Sequence, residues 1–413
     1  MAKNYLQLLC PSAKIEIQLK QKQASAADYY TTGNFVAGIV SITIPRGLPL
    51  GDVQLYFQGV SKTKFHRAFQ HGRAQTQHTF LCIRQPLDEI NISAPTTTRE
   101  GDKYHIPFCF VIPDKLPPQS CNHFTRSDQI KNSHRDLPAT LGDRGCRGYT
   151  NYSSTDMACI SYRIRVKMSN PSNVNTTLTK TKCIRIIPKS SDMPFVERVN
   201  NIYSIFMMRD TRSRPFRSRP FRSRSGQLSV EALQPEPICL TNSKLVMHKN
   251  PGTTVTIGLE FEGTNNPPKL RTVASRLRVL TVHSATPWEN HPDVIHSESL
   301  GNGNRGLYRD DIPLSKLSLK SVEWVKLQGL SYPHKVGPKP RVDESDAVIQ
   351  PTKYTSSIVV PINIPGTHSL VPTFHSCFIS RVYLVELGLS YRQHGVARVP
   401  SRISLVVPVQ IMN

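Results

Sequence analysis

The cationic residues are the most prominent group in this chain that could do chemistry. The sequence has 52 Lys and Arg against 29 Asp and Glu, which gives a formal net charge of +23. A field of this sign attracts acidic partners such as phosphorylated peptides, anionic membrane surfaces and nucleic acids, but it does not choose among them. Two clusters of cations stand out, one in an alternating pattern and one in a tandem repeat.

The first cluster lies in residues 160–168, where apolar and cationic residues alternate. Successive side chains of a strand point to opposite faces, so the pattern predicts a strand with one core face and one basic outer face. The basic face could hold an acidic or phosphorylated segment by charge-assisted hydrogen bonds. A plain solvated face is the alternative interpretation. The candidate residues are Arg163, Arg165 and Lys167.

The second cluster is a repeat of the unit Arg-Ser-Arg-Pro-Phe within residues 209–224, where seven Arg accompany one Asp. Four interpretations stay open: a disordered linker, a segment that binds anionic lipid, a set of phosphorylation sites, and an RNA-binding segment. The candidate contacts for an anionic surface are Arg212, Arg214, Arg217, Arg219, Arg222 and Arg224. The candidate phosphorylation sites are Ser213, Ser218, Ser223 and Ser225.

Cysteine and histidine are the other residue types that could carry metal or catalytic chemistry. Cys121, His123, His134 and Cys146 lie in one stretch, but their spacing fits no zinc finger or zinc ribbon. The sequence also lacks nucleophile-elbow, phosphate-loop, zinc-protease and kinase motifs. We therefore expect no metal, no cofactor and no enzymatic activity.

No segment of the chain predicts secretion or membrane insertion. The N-terminal stretch has no long apolar run and no cleavage site, and no window approaches the ~18 apolar residues of a membrane span. The nine cysteines include no Cys-x-x-Cys pair, which favours reduced thiols. We expect a cytoplasmic protein.

Short alternating apolar runs indicate strands throughout the chain, and 32 scattered prolines disfavour long helices. The predicted fold class is therefore all-β, built from antiparallel sandwiches. We expect one domain at residues 1–190, a linker or long loop at 191–236, and a second domain at 237–413. The predicted core positions include Ile106, Phe108, Phe110, Ile164, Val166, Val382 and Leu384.

Several motifs, taken in order, resemble the arrestin family. Residues 30–40, Tyr-Thr-Thr-Gly-Asn-Phe-Val-Ala-Gly-Ile-Val, are similar to the second strand of arrestin-like N-domains. Residues 104–113, which contain Pro107 and end at Pro113, resemble their central strand. The C-terminal half resembles the second arrestin domain in residues 371–374 and 379–385, and in a last strand that ends Val-Pro-Val at residues 407–409.

The resemblance is strongest to the fungal type of alpha-arrestins, the arrestin-related trafficking adaptors. It implies two immunoglobulin-like β-sandwich domains and a non-catalytic adaptor. Such an adaptor binds cytoplasmic segments of transporters or receptors and links them to ubiquitination and endocytosis, with recruitment to the plasma membrane or endosomes. The resemblance also implies that basic residues near the first strand contact phosphate, which here are Lys14, Lys20 and Lys22.

The link to a ubiquitin ligase is expected to be indirect. The WW domains of such ligases bind a Pro-Pro-x-Tyr peptide, and neither Pro117-Pro118 nor Pro267-Pro268 is followed by Tyr at the required position. The runner-up interpretation is a basic all-β protein that binds nucleic acid. It is disfavoured because the sequence shows no aromatic platform for RNA bases.

Overall fold

The computed structural model describes residues 13–20, 29–66, 73–87, 95–98, 101–143, 157–170, 173–190, 210–217, 224–240, 251–263, 266–294, 304–327, 352–366, 370–392 and 400–413. Of these residues, 65% lie in strands and 4% in helices, so the prediction of an all-β protein is confirmed. None of the helices in these ranges is long and apolar enough to cross a membrane.

The first eight strands form two antiparallel sheets. They are β1 Lys14–Leu19, β2 Phe35–Ile44, β3 Val53–His66, β4 Arg73–Gln85, β5 Thr96–Thr98, β6 Gly101–Val111, β7 Ala158–Asn170 and β8 Asn173–Ile184. One sheet has the strand order β1–β2–β6–β5, and the other has the order β4–β3–β7–β8.

These two sheets share one hydrophobic core, because each strand places its apolar residues on one face. Rings from both sheets meet there: the centroids of Phe57 on β3 and Phe110 on β6 lie 5.8 Å apart. The expectation about core positions is confirmed across both halves of the chain. The buried residues are Ile106, Phe108, Phe110, Ile164, Val166, Val382 and Leu384.

A short helical segment separates β6 from β7. It consists of a 3-10 turn at Pro118–Ser120 and the helix α1 Asp128–His134. Ser127 caps α1, since its hydroxyl oxygen accepts a hydrogen bond from the backbone N–H of Ile130 at 3.3 Å. The side chain of Ile130 is buried, and so is that of His134 at the end of the helix.

The later strands build a second pair of sheets. They are β9 Asp210–Arg217, β10 Arg224–Ala232, β11 Ile238–Cys239, β12 Gly252–Gly263, β13 Lys269–Ser284, β14 Arg305–Ser318, β15 Val325–Leu327, β16 Thr352–Asn363, β17 Phe374–His375, β18 Ile379–Arg392, β19 Ser401–Val409 and β20 Ile411–Met412. One sheet has the order β15–β16–β12–β10–β9, and the other has the order β14–β13–β18–β17 with β19 also on β18. A second core contains apolar residues of both sheets. The short pair β11–β20 is parallel.

The prediction that residues 191–236 form a linker is wrong for the part of that range that the structure describes. There, β9 and β10 are paired strands, and β10 also pairs in register with β12. Leu228 and Val230 of β10 are fully buried in the second core. The repeat unit suggested a loop because of its charge and its prolines, but β9 is an edge strand. Edge strands tolerate both charge and proline.

The two pairs of sheets are in direct contact. Thr63 of β3 donates a hydrogen bond from its hydroxyl to the carbonyl oxygen of Ser284 at 3.1 Å. The backbone N–H of Arg126 donates to the carbonyl oxygen of Glu289 at 3.0 Å. Residues around β17 complete the first core rather than the second. They are Val371, Phe374, Cys377, Phe378 and Ile379.

Candidate functional site

The outer face of the β4–β3–β7–β8 sheet carries the predicted basic stripe. Arg163, Arg165 and Lys167 alternate along β7 with residues that are fully buried in the core, and the three cations are half-buried. Their stems therefore lie along the sheet while their charged ends reach its surface. The structure thus brings together the three residues that the alternation predicted for one face.

Neighbouring strands extend this face with cations that the sequence analysis did not select. In the strand register, Arg165 lies opposite Tyr56, and Tyr56 lies opposite Arg84 on β4. Lys62 lies opposite Cys159, which shares the Arg163 face of β7. The alternation of apolar and polar residues in 53–65 indicates which side chains share a face of β3. Only the pairing of β3 with β7 places that face beside Arg163. The basic face consists of Lys62, Arg84, Arg163, Arg165 and Lys167.

The arginines at the centre of this basic face have no acidic partner. No described residue forms an ion pair or hydrogen bond with the Arg163 or Arg165 side chain, and the buried Nε atom of each has no partner. The ammonium group of Lys167 lies 5.7 Å from the ring centroid of Tyr56, which is within cation–π range. Among the described residues, no carboxylate therefore offsets the charge of these two guanidinium groups.

A sheet of the second pair shows the opposite arrangement. Arg276 and Arg278 of β13 both contact Glu386 of β18 and Asp311 of β14. Arg309 binds Asp311 through two hydrogen bonds and holds the pKa of that carboxyl group below its usual value. Two carboxylates on adjacent strands thus offset most of the charge of these three arginines, whereas no described carboxylate does so for Arg163 and Arg165.

The candidates near the first strand do not join the basic face. β1 belongs to the other sheet of its pair. Lys14 lies on the outer face of that sheet, opposite in direction to the buried Ile15, and its ammonium group pairs with Glu16 at 3.1 Å. Lys20 is exposed just after β1, and Lys22 lies outside the described residues.

The repeat segment is described only in part. Arg212, Arg214, Arg217 and Ser213 lie on β9, with Ser213 opposite Ser229, while Arg224 and Ser225 begin β10. Arg219, Arg222, Ser218 and Ser223 lie outside the described residues. The described part of this segment therefore includes the edge strand β9, which belongs to a different sheet from β7.

A second cluster of chemistry-bearing residues lies in the first core. Cys121, His123, His134 and Cys377 each offer one ligand atom, and these four atoms lie within 4.8 Å of one another. Three of the residues are buried and His123 is half-buried. The sequence analysis had grouped the first three with Cys146, which lies outside the described residues. Cys377 was missed because it comes from the turn between β17 and β18.

Burial shifts the proton affinities of this cluster. It lowers the pKa of His134 to about 3, with smaller effects from His123 and His375, so the imidazole is neutral near neutral pH. Burial also raises the pKa of the Cys377 thiol, and the neighbouring Cys121 raises it further. The cysteines in the described part of the chain are free thiols.

Comparison with known proteins gives no family assignment. No protein-family model matches the chain, and no curated protein matches it.

Proposed function

We propose that the protein is a non-catalytic adaptor whose basic face binds acidic or phosphorylated segments of other proteins. The observation that carries this proposal is the pair Arg163 and Arg165, which lie side by side on one strand without any acidic partner among the described residues. A phosphate group or a carboxylate would supply the missing acceptors, and guanidinium groups bind both by paired hydrogen bonds.

The remainder of the proposal rests on the resemblance to alpha-arrestins. Two pairs of antiparallel sheets in contact are compatible with two immunoglobulin-like sandwich domains of the arrestin kind. In such an adaptor the bound segments would be cytoplasmic parts of membrane transporters or receptors. The adaptor would lead them to ubiquitination and endocytosis, with the ligase brought in by a further partner because a Pro-Pro-x-Tyr peptide is absent from the sequence.

The test compares a labelled peptide that carries several phosphoserines with its unphosphorylated form, by fluorescence polarisation at several salt concentrations. We expect the phosphopeptide to bind more tightly, with an affinity that falls as salt rises. The double variant R163Q/R165Q should lose about tenfold or more in affinity, since each charge-assisted hydrogen bond contributes about 1.5–3 kcal/mol.

The matched control is K316Q/K326Q, which removes the same charge from exposed positions of the second pair of sheets. Equal loss of affinity in both double variants would contradict a defined site and indicate a general field effect. An RNA oligonucleotide of similar charge is the competitor. Tighter binding of that RNA through Arg163 and Arg165 would support the nucleic-acid interpretation instead.

A further inference from the structure

The cluster of Cys121, His123, His134 and Cys377 has the dimensions of a zinc site. A tetrahedral Zn²⁺ with bonds of about 2.0–2.3 Å keeps its ligand atoms roughly 3.3–3.8 Å apart. The Sγ atom of Cys121 lies 3.4 Å from Nε2 of His123 and 3.7 Å from Nδ1 of His134. All four ligand atoms lie within 4.8 Å of one another, so small side-chain movements would bring them to these spacings.

A hydrogen bond orients the ring of His123 so that one of its nitrogens faces the other ligand atoms. The Nδ1 atom of His123 lies 2.9 Å from the carbonyl oxygen of Phe124, and a carbonyl oxygen can only accept. Nδ1 therefore carries the proton and donates it, which leaves the lone pair of Nε2 directed at Cys121. Metal-binding histidines in proteins are commonly oriented in this way, with the second ring nitrogen donating to a carbonyl group.

The backbone around the ligands is held in place from both halves of the chain. Cys121 follows the 3-10 turn Pro118–Ser120, and His134 ends the capped helix α1. Cys377 lies in a turn in which the Ser376 hydroxyl donates to the carbonyl oxygen of Ile379 at 2.7 Å. The carbonyl oxygen of Cys377 accepts a hydrogen bond from the backbone N–H of Trp288 at 2.8 Å. A preformed site of this kind loses little conformational entropy when a metal binds.

We propose that these four residues bind one structural Zn²⁺ ion that joins the segment 121–134 to the turn before β18. Two thiolates and two imidazoles favour zinc over calcium, magnesium or manganese, which prefer oxygen ligands. Four protein ligands leave no open position, so the ion has a structural role rather than a catalytic one. Because its ligands come from both halves of the chain, the ion would fix the contact between the two pairs of sheets.

A disulfide between Cys121 and Cys377 is the competing explanation for two close sulfur atoms. It would not explain why two histidine nitrogens point at the same sulfur. The two explanations differ in a direct way, because zinc binding needs both histidines and reduced sulfur, whereas a disulfide needs neither histidine and no metal.

The first test measures the metal content of the full-length chain, purified without chelator, by inductively coupled plasma mass spectrometry. We expect about one zinc ion per chain, as for a closed four-ligand site. C121S, H134Q and C377S should each lose the zinc. The control variants C109S and C239S change exposed cysteines outside the cluster and should keep it. A folded wild-type chain without zinc, or a Cys121–Cys377 disulfide found by non-reducing peptide mapping, would overturn the proposal.

A second measurement covers the case in which a variant fails to fold. The purified chain is stripped of metal and loaded with Co²⁺, whose visible absorption bands are intense in tetrahedral sites and include sulfur-to-cobalt charge transfer. The wild type should show both features, and C121S and C377S should each weaken the charge-transfer band. Circular dichroism shows whether the cobalt-loaded wild type is folded. An octahedral cobalt absorption spectrum in the folded protein would also contradict the proposal.

Discussion

Arginine residues have different surroundings in the two halves of this molecule. Arg276 and Arg278 each contact two carboxylates across β13, whereas Arg163 and Arg165 on β7 contact none among the described residues. Neighbouring cations without acids repel one another, so the basic face does not add to the stability of the fold. An arrangement that costs stability and exposes hydrogen-bond donors is typical of a binding surface.

A buried hydroxyl group in the first core gives a residue-level prediction. Tyr162 donates a hydrogen bond to the carbonyl oxygen of Pro138 at 2.7 Å, and both groups are buried. Y162F should lower the free energy of unfolding by about 1–3 kcal/mol, because the carbonyl oxygen is left without a partner. In the control Y56F, the lost hydroxyl binds Gln54 in a half-exposed position, and the change should be close to zero. Urea denaturation measures both, and equal effects would contradict the argument.

The buried aromatic residues of β6 give a second prediction. Phe108 is 3% exposed, and its ring lies 6.1 Å from that of Phe110. F108A should reduce the free energy of unfolding by about 3–5 kcal/mol, since it leaves a cavity in a packed core. The control F35A removes a ring that is 66% exposed on β2 and should have little effect. A small loss for F108A in chemical denaturation would show that this face of β6 is not packed as described.

Among the elements, β10 shows how an apolar pattern can outweigh its charged surroundings. Residues 228–232 alternate between apolar and polar, and the apolar members are buried against β12. The arginine repeat precedes this alternation and forms the edge strand β9 beside it. Burial of one face stabilises a strand regardless of the charges carried by its neighbour in sequence.

A pair of leucines in this segment tests whether it is a strand or a linker. Leu228 is fully buried opposite Phe261, whereas Leu233 just beyond the strand is 67% exposed. L228A should reduce the free energy of unfolding by about 2–5 kcal/mol, while L233A should leave it nearly unchanged. Thermal or urea unfolding measures the stability of the two variants relative to the wild type. Near-identical stabilities would restore the interpretation of residues 191–236 as a linker.

For the whole molecule, the contact between the two pairs of sheets contains a buried histidine. The ring of His283 on β13 lies 5.1 Å from the ring of Phe65 on β3. Burial lowers the pKa of His283 to about 4, although a hydrogen bond with the backbone of Lys64 acts in the opposite direction. The unfolded chain therefore binds a proton at this position at a higher pH than the folded chain does.

The sign of the resulting pH dependence follows from linkage. A depressed pKa contributes stability that is present above the pKa of the unfolded state, about 6.5, and is lost as pH falls toward 4. The free energy of unfolding that is lost through protonation of His283 alone should reach at most ~3 kcal/mol. The variant H283Q should show a shallower decline of unfolding free energy over this interval, measured by urea titration at several pH values. Parallel curves for wild type and variant would contradict the assignment.

The net charge of the whole chain leads to a prediction about membranes. Arg side chains near an anionic leaflet gain attraction that decays within a Debye length of about 8 Å at physiological salt. Each phosphate group would remove about 1.5–2 positive charges from the repeat segment. In a liposome sedimentation assay, binding should require anionic lipid, weaken with salt, and fall in S218E/S223E/S225E.

The matched control for this assay adds the same charge at exposed serines elsewhere, as S318E/S321E/S401E. It should bind liposomes nearly as well as the wild type if the repeat segment is the contact. Equal binding of all three proteins, or equal binding to neutral and anionic liposomes, would leave the segment with no role at membranes.

The amino-acid sequence by itself determined the strand character of this chain and the direction of many side chains. Alternation in residues 160–168 predicted both the buried Ile164 and Val166 and the outward Arg163 and Arg165, because the period of two is a local property of the strand. The same reasoning predicted the buried positions of β6, but on β18 it predicted only Val382 and Leu384, whereas that strand is buried on both faces. Local patterns were sufficient wherever one face of a strand packs on a core.

The tertiary structure decided which distant segments meet. Local spacing could not connect Cys377 with Cys121, because their contact depends on how the turn before β18 packs into the first core. It also could not show that Glu386 and Asp311 pair with Arg276, whereas no acid among the described residues pairs with Arg163. Strand pairing and sheet packing join residues far apart in the chain, and the free energy of those contacts is absent from any short window of sequence.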